Sequence, residues 1–194
     1  MFSGIIQFKV KPIKVLKAKN SLELTFPTPK KWKVEIGESI NINGVCSTVK
    51  DLNPRSFTVY YMSETLGKTN LNFVTNENLF NLERSLTLNS LIGGHLVSGH
   101  IDTTGEIIKV IKKSDSTILE IKLPQIFSKY LIYKGSVAVN GVSLTVVSTT
   151  KTHFTVSLIP HTLKESNLGN LKKGDLVNLE VDTLAKYIEK LIKK

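Results

Sequence analysis

The stretch SININGVCSTV at residues 39–49 returns as SVAVNGVSLTV at residues 136–146. When the chain is shifted by 97 positions, residues 39–83 align with residues 136–180 without a gap, and 17 of the 45 aligned positions are identical. Unrelated segments share far fewer positions, so the repeat reflects a duplication. The sequence therefore predicts two copies of one domain and two similar binding sites. Chemistry is expected where the copies differ.

Both copies are predicted to form β structure, because short β-branched segments alternate with turn signals. Asn43-Gly44 and Asn140-Gly141 are typical of tight hairpins, since both residue types tolerate positive φ. The predicted strands are 39–42, 47–52, 57–61 and 79–82 in the first copy, and 107–111, 117–122, 136–139, 144–147, 154–158 and 176–181 in the second. About six short antiparallel strands per copy favour a small closed barrel with few exposed edges.

The chain is divided into an N-terminal barrel at residues 1–90, a C-terminal barrel at 91–182 and a helix at 183–194. Ile92-Gly93-Gly94 is the expected joint between the copies. In the tail, apolar residues at 184, 185, 188, 191 and 192 fall on one helical face. The helix is too short to be stable alone, so this face must pack on a domain or on another subunit.

Composition excludes several classes of protein. The net charge is +10, but the basic residues are scattered and do not alternate with aromatics, so solvated lysines are favoured over a nucleic-acid surface. The sequence has no apolar run of about 18 residues and no signal-peptide pattern, and we expect no membrane association. The single cysteine, Cys46, favours the reducing cytoplasm.

Five motifs, in order along the chain, closely resemble those of riboflavin synthase of the alpha-chain type. They are MFSGIIQ (1–7), GESININGVCSTV (37–49), GGHLVSGHID (93–102), YKGSVAVNGVSLTV (133–146) and LIPHTLKESNLG (158–169). The resemblance implies an all-β fold of two tandem six-stranded antiparallel Greek-key barrels plus a C-terminal α-helix. It also implies a homotrimer whose active sites form between the N-terminal barrel of one subunit and the C-terminal barrel of a neighbour.

The reaction implied by the resemblance is a dismutation. Two molecules of 6,7-dimethyl-8-ribityllumazine react, a four-carbon unit passes from one to the other, and riboflavin and 5-amino-6-ribitylaminouracil result. The reaction requires no metal, nucleotide or redox cofactor, and lumazine synthase is implied as a pathway partner. A duplicated domain suits this chemistry, because a reaction between two identical molecules needs two similar pockets.

The resemblance implies catalytic roles for Cys46, His100, Ser39 and Ser143. The Cys46 thiol is a candidate nucleophile or proton-transfer group, against the alternative of a small buried cysteine. His100 stands where the first copy has Ile5, and a histidine can move a proton near neutral pH, although a structural histidine is the alternative. The pair His95 and His100 with one distant cysteine is a weak metal signal, which we reject.

Substrate contacts are implied for several short segments and two single residues. They are Gly4, Ile5, Ile6, Cys46, Ser47, Thr48, Met62, Ser63, Glu64, Thr65, Ser98, Gly99, His100, Ile101, Lys134, Ser143, Leu144, Thr145, Ile159, Pro160, His161, Thr162, Leu163, Lys164 and Asp182. For Lys134 the alternative is a solvated surface lysine, and for Asp182 it is a helix N-cap. Ser47 departs from the family, which usually has Leu after the cysteine.

Two other functions compete with this hypothesis. One is a non-enzymatic lumazine- or flavin-binding protein of the same fold. The chain keeps Ser98-Gly99-His100, Ser143-Leu144-Thr145 and Cys46, which favours the enzyme. The other is a basic β-barrel that binds nucleic acid, which predicts a clustered basic face with stacking aromatics. The sequence shows neither feature.

Overall fold

The structure is a computed structural model that describes residues 1–192. Two β-sheets fill most of it, with short helices at their rims. The strands are β1 (Phe8–Val10), β2 (Lys14–Ala18), β3 (Ser21–Pro27), β4 (Ser39–Ile42), β5 (Val45–Asn53), β6 (Ser56–Met62), β7 (Phe80–Arg84), β8 (Thr103–Lys112), β9 (Thr117–Lys122), β10 (Ser136–Val139), β11 (Val142–Thr149), β12 (His153–Leu158) and β13 (Leu176–Val181). The α-helices are α1 (Ser63–Lys68), α2 (Pro160–Glu165) and α3 (Thr183–Ile192), and 3-10 helices span Asn70–Phe73, Gln125–Tyr130 and Asn167–Asn170.

The C-terminal repeat forms a closed antiparallel barrel in the order β10-β11-β12-β9-β8-β13, with β13 pairing back onto β10. Alternate residues of each strand point inward, as the period of two requires. Phe154, Val156 and Leu158 of β12 are fully buried in its core. All six strands predicted for this copy are present. β9, β10 and β13 have the predicted bounds, and β8, β11 and β12 extend beyond them by one to four residues.

The N-terminal repeat forms one seven-stranded sheet in the order β1-β7-β4-β5-β6-β3-β2. Its two outer strands are consecutive pieces of chain on either side of Pro12, where the other barrel has the single strand β8. Proline has no N–H to donate, so the ladder is interrupted there. The two-barrel all-β fold is confirmed, but the hydrogen bonds of this barrel do not run unbroken around it.

The two barrels are joined by a pseudo-symmetric polar interface. Phe2 and Val97 exchange backbone hydrogen bonds of 2.8 and 3.0 Å, so the first segment of each repeat lies beside that of the other. Deeper in the interface, the side-chain amide of Asn81 donates to the Asn140 carbonyl at 2.9 Å. The equivalent bond, from Asn178 to the Asn43 carbonyl, is also 2.9 Å. These buried bonds fix the relative position of the two Asn-Gly hairpins.

The C-terminal helix α3 is tied to the barrel through its polar residues. Lys186 forms an ion pair with Asp102 at 2.6 Å, and Glu189 pairs with Lys129. The apolar residues Leu184 and Ile188 remain 59% and 56% exposed. The predicted helix over 183–194 is thus observed through Ile192, whereas Lys193 and Lys194 lie outside the described residues.

Candidate functional site

The glycine of each Ser-Gly turn lies against the central hairpin of the other repeat. The Cys46 N–H donates to the Gly99 carbonyl at 2.8 Å, and the Ser143 N–H donates to the Gly4 carbonyl at 2.8 Å. Gly99 and Gly4 have φ of +80° and +75°. A Cβ on Gly99 would stand 2.6 Å from the Cβ of Cys46, and one on Gly4 would be as close to Ser143. Only glycine fits at either contact.

Two buried carboxylates hold these turns. Oε1 of Glu83 accepts from the N–H and the hydroxyl of Ser3 at 2.7 Å each, and Oε2 accepts from Gly4 N–H at 3.1 Å. Glu180 binds Ser98 and Gly99 in the same way at 2.6 to 2.9 Å. Burial raises the pKa of both carboxyls, and the N–H and O–H donors oppose the rise.

The sequence contains a repeated pattern that marks both glutamates. Each closes an Asn-Leu-Glu triplet that the two repeats share, at residues 81–83 and 178–180. Both triplets lie within the aligned ranges 39–83 and 136–180, but the sequence alone did not lead us to assign either glutamate a role.

At the first site, Cys46 and His100 line one cleft of about 280 Å³. Cys46 is half-buried, whereas His100 is exposed. The predicted residues Glu64, Thr65, Gly99 and Ile101 lie there too. The full lining is Val45, Cys46, Glu64, Thr65, Lys68, Thr69, Gly99, His100 and Ile101. Both repeats therefore contribute to the cleft, whose volume is slightly below the usual range for small-molecule pockets.

Ser39 and Thr48 lie on the outer face of the same hairpin. Thr48 stands two residues beyond Cys46 in β5, so both side chains point to one face. Ser39 is directly opposite Thr48 in the register of β4 and β5. Neither residue lines the 280 Å³ cleft. Ser136 and Thr145 form the equivalent pair in the second barrel.

At the second site, Ser143 is bonded to a histidine. Nδ1 of His95 lies 2.7 Å from Oγ of Ser143, and Nε2 is buried without a hydrogen-bond partner among the described residues. Burial lowers the pKa of His95, and the negative charge of Asp182 raises it by less. A neutral His95 can accept the Ser143 proton. At the first site, His100 is exposed rather than bonded in this way, so the two sites differ in how a histidine meets the reactive group.

This role of His95 was not predicted from the sequence. The residue was weighed only as a metal ligand together with His100. The clue was its place in the Gly93-Gly94-His95 motif, whose glycines suit a close approach of backbone. In the structure a Cβ on Gly94 would lie 2.6 Å from the Cβ of Ser143.

The remaining predicted residues lie at the barrel rims. Met62 and Ile159 directly precede α1 and α2 and are 64% and 58% exposed. Lys134 has φ of 62° and places its Nζ 5.5 Å from the ring centre of Tyr133. Oδ1 of Asp182 accepts from the Leu184 N–H at 2.9 Å, so Asp182 caps α3 while its charge acts on His95.

Some residues of α2 line a second cleft, whereas others are exposed. Pro160 and Leu163 line a cleft of about 920 Å³ together with the β8–β9 hairpin and the loop at residues 168–173. His161 and Lys164 are exposed. The structure therefore does not gather all of the predicted segment 159–164 into one pocket with Ser143.

Comparison with known proteins identifies both repeats. A family model for the lumazine binding domain matches residues 3–85 and 98–182. Riboflavin synthase of Actinobacillus pleuropneumoniae is 44% identical over 195 residues, which cover 100% of this chain and 91% of that protein. Riboflavin synthase of Bacillus subtilis (strain 168) is 40% identical with the same coverage.

The fold has solved neighbours. LumP in complex with riboflavin superposes with a TM-score of 0.87 at 23% identity, covering 93% of this chain and 99% of LumP. LumP in complex with 6,7-dimethyl-8-(1'-D-ribityl)lumazine gives 0.84 at 24% identity with the same coverage. At this identity the likeness establishes the fold alone. Within residues 1–192, no helix combines the length and apolar character needed to span a bilayer.

Proposed function

The chain belongs to the riboflavin synthase family, and on that premise we propose that it is a transferase which makes riboflavin from two molecules of 6,7-dimethyl-8-ribityllumazine. One substrate gives a four-carbon unit to the other and leaves as 5-amino-6-ribitylaminouracil. The two products contain every atom of the two substrates, so the balance needs no oxidant or reductant. Identity of 44% across the whole chain is the observation that carries this proposal.

The two candidate sites support a reaction between like molecules. Each is built from one hairpin and one exchanged Ser-Gly turn, so their frames are alike. The first offers Cys46 and His100, and the second offers Ser143 and His95. Similar frames suit identical substrates, and different reactive groups allow one molecule to be the donor and the other the acceptor.

Proton transfer is assigned to the residues that the geometry brings together. The reaction must remove a proton from the methyl group at C7 of the lumazine. At the second site His95, which burial keeps neutral, accepts the Ser143 hydroxyl proton, and the Ser143 oxygen takes the methyl proton in its place. At the first site, His100 is the exposed proton acceptor and Cys46 supplies the nucleophilic or proton-donating thiol. Ser39 and Thr48, like the equivalent pair Ser136 and Thr145, lie on the outer faces of the hairpins.

Assembly into a homotrimer is part of the proposal. The apolar face of α3 points away from its own barrel, and Leu191 is 77% exposed. Such a face is expected to be buried against another protein surface. The first cleft is open and small for a complete lumazine. A neighbouring subunit that packs on α3 and faces this cleft would meet both needs. The same proposal includes the domain division at 1–90, 91–182 and 183–194. It also includes a cytoplasmic location and lumazine synthase as the supplier of substrate.

The activity test uses the pure full-length chain with 6,7-dimethyl-8-ribityllumazine as the sole substrate and a chelator present. We expect one riboflavin for every two lumazines consumed, followed by flavin absorbance. Tight binding of lumazine without any product would instead support the non-enzymatic function suggested by the LumP-like fold. A strict requirement for a metal or nucleotide would also contradict the proposal.

The assembly test changes one residue on each side of α3. Ile188→Glu places a charge on the exposed apolar face and should dissociate the trimer and lower turnover with it. Lys190→Glu makes a larger charge change on the same helix and should leave the trimer intact. Sedimentation velocity distinguishes the two outcomes. An Ile188→Glu protein that remains trimeric would place the subunit contact elsewhere.

A further inference from the structure

A hydrogen-bonded pair of hydroxyls lies inside the N-terminal barrel next to Cys46. The Tyr61 hydroxyl is 2.7 Å from Oγ of Ser47, and Ser47 Oγ donates to the Val45 carbonyl at 2.9 Å. Ser47 and Tyr61 are only 2% and 3% exposed. Because the one Ser47 proton goes to Val45, the Tyr61 hydroxyl donates to Ser47.

The second barrel has no such pair. The positions equivalent to Ser47 and Tyr61, 97 residues later, are Leu144 and Leu158, and both side chains are buried in an apolar core. The copy that carries the thiol therefore has two hydroxyl groups where the other copy has two leucines. Ser47 also departs from the leucine that is usual in the family at this position, whereas the second copy keeps that leucine as Leu144.

Stability does not account for the exchange. A buried hydroxyl costs about 1–3 kcal/mol unless it is hydrogen-bonded, and a bonded pair recovers a net ~1 kcal/mol per bond. Two leucines in the same space give up no hydration of polar groups and gain ~25 cal/mol per Å² of apolar surface buried. The apolar pair is at least as favourable for folding, so the polar pair needs another reason.

We propose that Ser47 and Tyr61 are positioning residues that hold the backbone of Cys46, so that its thiol is presented to the cleft it shares with His100. Val45 and Ser47 flank Cys46 in β5, and the peptide group between Val45 and Cys46 is planar. Ser47 holds the carbonyl end of this peptide, and Gly99 accepts from its N–H end at 2.8 Å. This inference rests on the proposed role of Cys46.

The second site shows what the pair adds. There Gly4 accepts from the Ser143 N–H at 2.8 Å, but Leu144 has no hydroxyl to bind the Val142 carbonyl. Ser143 instead has its side chain held by His95. The two reactive groups are thus held in different ways. At Cys46 a buried pair of hydroxyls holds the backbone, and at Ser143 an imidazole holds the side chain.

The Tyr61 phenol is suited to a fixed donor role. Burial raises its pKa far above the ordinary value, so it remains protonated throughout the working range of pH. The Ser47 hydrogen bond lowers that pKa by less, and a negative charge on Cys46 raises it further. The phenol therefore keeps the proton that it donates to Ser47.

The test uses the fact that Cys46 is the chain's single cysteine. Ser47→Ala, Tyr61→Phe and the double variant Ser47→Leu/Tyr61→Leu are compared with wild type in the full-length protein. The readouts are kcat, KM and the pH dependence of thiol alkylation by iodoacetamide. We expect kcat to fall about tenfold, equivalent to ~1.4 kcal/mol, with KM within about twofold. The pH dependence of alkylation should shift in each variant. The kcat of the double variant should be no lower than that of the more impaired single variant.

A matched control removes another hydroxyl pair from the same barrel. Thr25 and Thr58 are bonded at 3.0 Å between β3 and β6 and do not line the Cys46 cleft. Thr25→Val/Thr58→Val should change neither kcat nor the alkylation profile.

Two results would overturn the proposal. One is wild-type kcat and alkylation in folded Tyr61→Phe, which would leave the pair a packing feature. The other is an equal shift in the threonine control. Should Tyr61→Phe fail to fold, the leucine pair, which copies the residues of the second barrel, carries the same test. Absence of riboflavin formation by wild type would refute the proposed function, yet the alkylation profile would still report on the position of Cys46.

Discussion

The two candidate sites share a backbone frame and differ in the groups that it presents. In both, a Ser-Gly turn held by a buried glutamate lies on the hairpin of the other repeat. The first site has a thiol and an exposed histidine that follows its turn, whereas the second has a hydroxyl and a half-buried histidine. Duplication has kept the backbone frame and varied the side chains that it presents, so we expect the chemistry at the positions where the two copies differ.

The largest expected effect comes from making the first site resemble the second. Cys46→Ser is nearly isosteric and should keep the fold and most ligand affinity, because the Cys46 N–H bond to Gly99 is unchanged. Turnover should fall by roughly tenfold to a thousandfold, about 1.4 to 4 kcal/mol in barrier. Single-turnover rates and fluorescence titration of ligand binding separate the two effects.

Adding Ser143→Cys to that variant sharpens the comparison. The thiol would then stand beside His95 at the second site, so we expect no rescue of turnover. Recovered turnover in the double variant would show that the two sites are interchangeable. Wild-type turnover in Cys46→Ser alone would make Cys46 a packing residue.

A smaller effect should distinguish the two histidines. His95→Gln should lower turnover about a hundredfold, since it removes a proton acceptor bonded to Ser143. The lowered pKa of His95 means that it gains its proton only at a pH below the ordinary histidine value. Turnover in wild type should therefore fall as pH drops through that lowered value, and His95→Gln should lack this acid limb.

His100→Gln serves as the comparison. His100 is exposed and its ring has no fixed partner within the described residues, so its loss should cost about tenfold. Profiles of kcat against pH for both variants make the distinction. Equal losses with identical profiles would contradict the assignment of separate roles.

The smallest effect concerns the two buried glutamates. Because burial raises the pKa of Glu83 and Glu180, the folded protein binds these protons more tightly than the unfolded chain does. The free energy of unfolding should fall as pH rises from the ordinary glutamate pKa through the raised values. Glu83→Gln and Glu180→Gln should each reduce this slope and, at neutral pH, cost about 1–3 kcal/mol through lost bonds to the turn.

Urea unfolding at several pH values measures both quantities. The two glutamates make equivalent contacts, so the two variants should behave alike. A steeper slope in either variant would mean that the wild-type carboxyl is not the group responsible.

The sequence predicted those parts of the fold that depend on local geometry. The Asn43-Gly44 and Asn140-Gly141 hairpins have positive φ at both turn residues, as expected. Strands β1, β2 and β3 were not predicted. Most of β2 is exposed, and Pro12 breaks the pattern between β1 and β2. In contrast, β3 alternates strictly between buried and half-buried residues and was within reach of a period-two search.

Sequence motifs indicated which residues belong to the candidate site, but not which of them form hydrogen bonds with one another. Cys46, His100 and Gly99 were singled out, and the structure brings them into one cleft. The bond between His95 and Ser143 joins residues 48 positions apart in different segments. Nothing in the spacing of His95 and His100 indicates that one is bound to a serine while the other is exposed. Such pairs depend on how the turns cross between repeats, which no local pattern encodes.

The exchange of Ser-Gly turns bears on how the duplicated chain arose. Each barrel's hairpin is completed by the turn of the other, as two identical half-length chains would complete each other about a twofold axis. A single-copy ancestor would thus have needed to dimerise before it had a finished site, and its two sites would have been identical. Fusion of two gene copies would remove that symmetry. Only then could the two copies differ, with a thiol at position 46 and a hydroxyl at position 143.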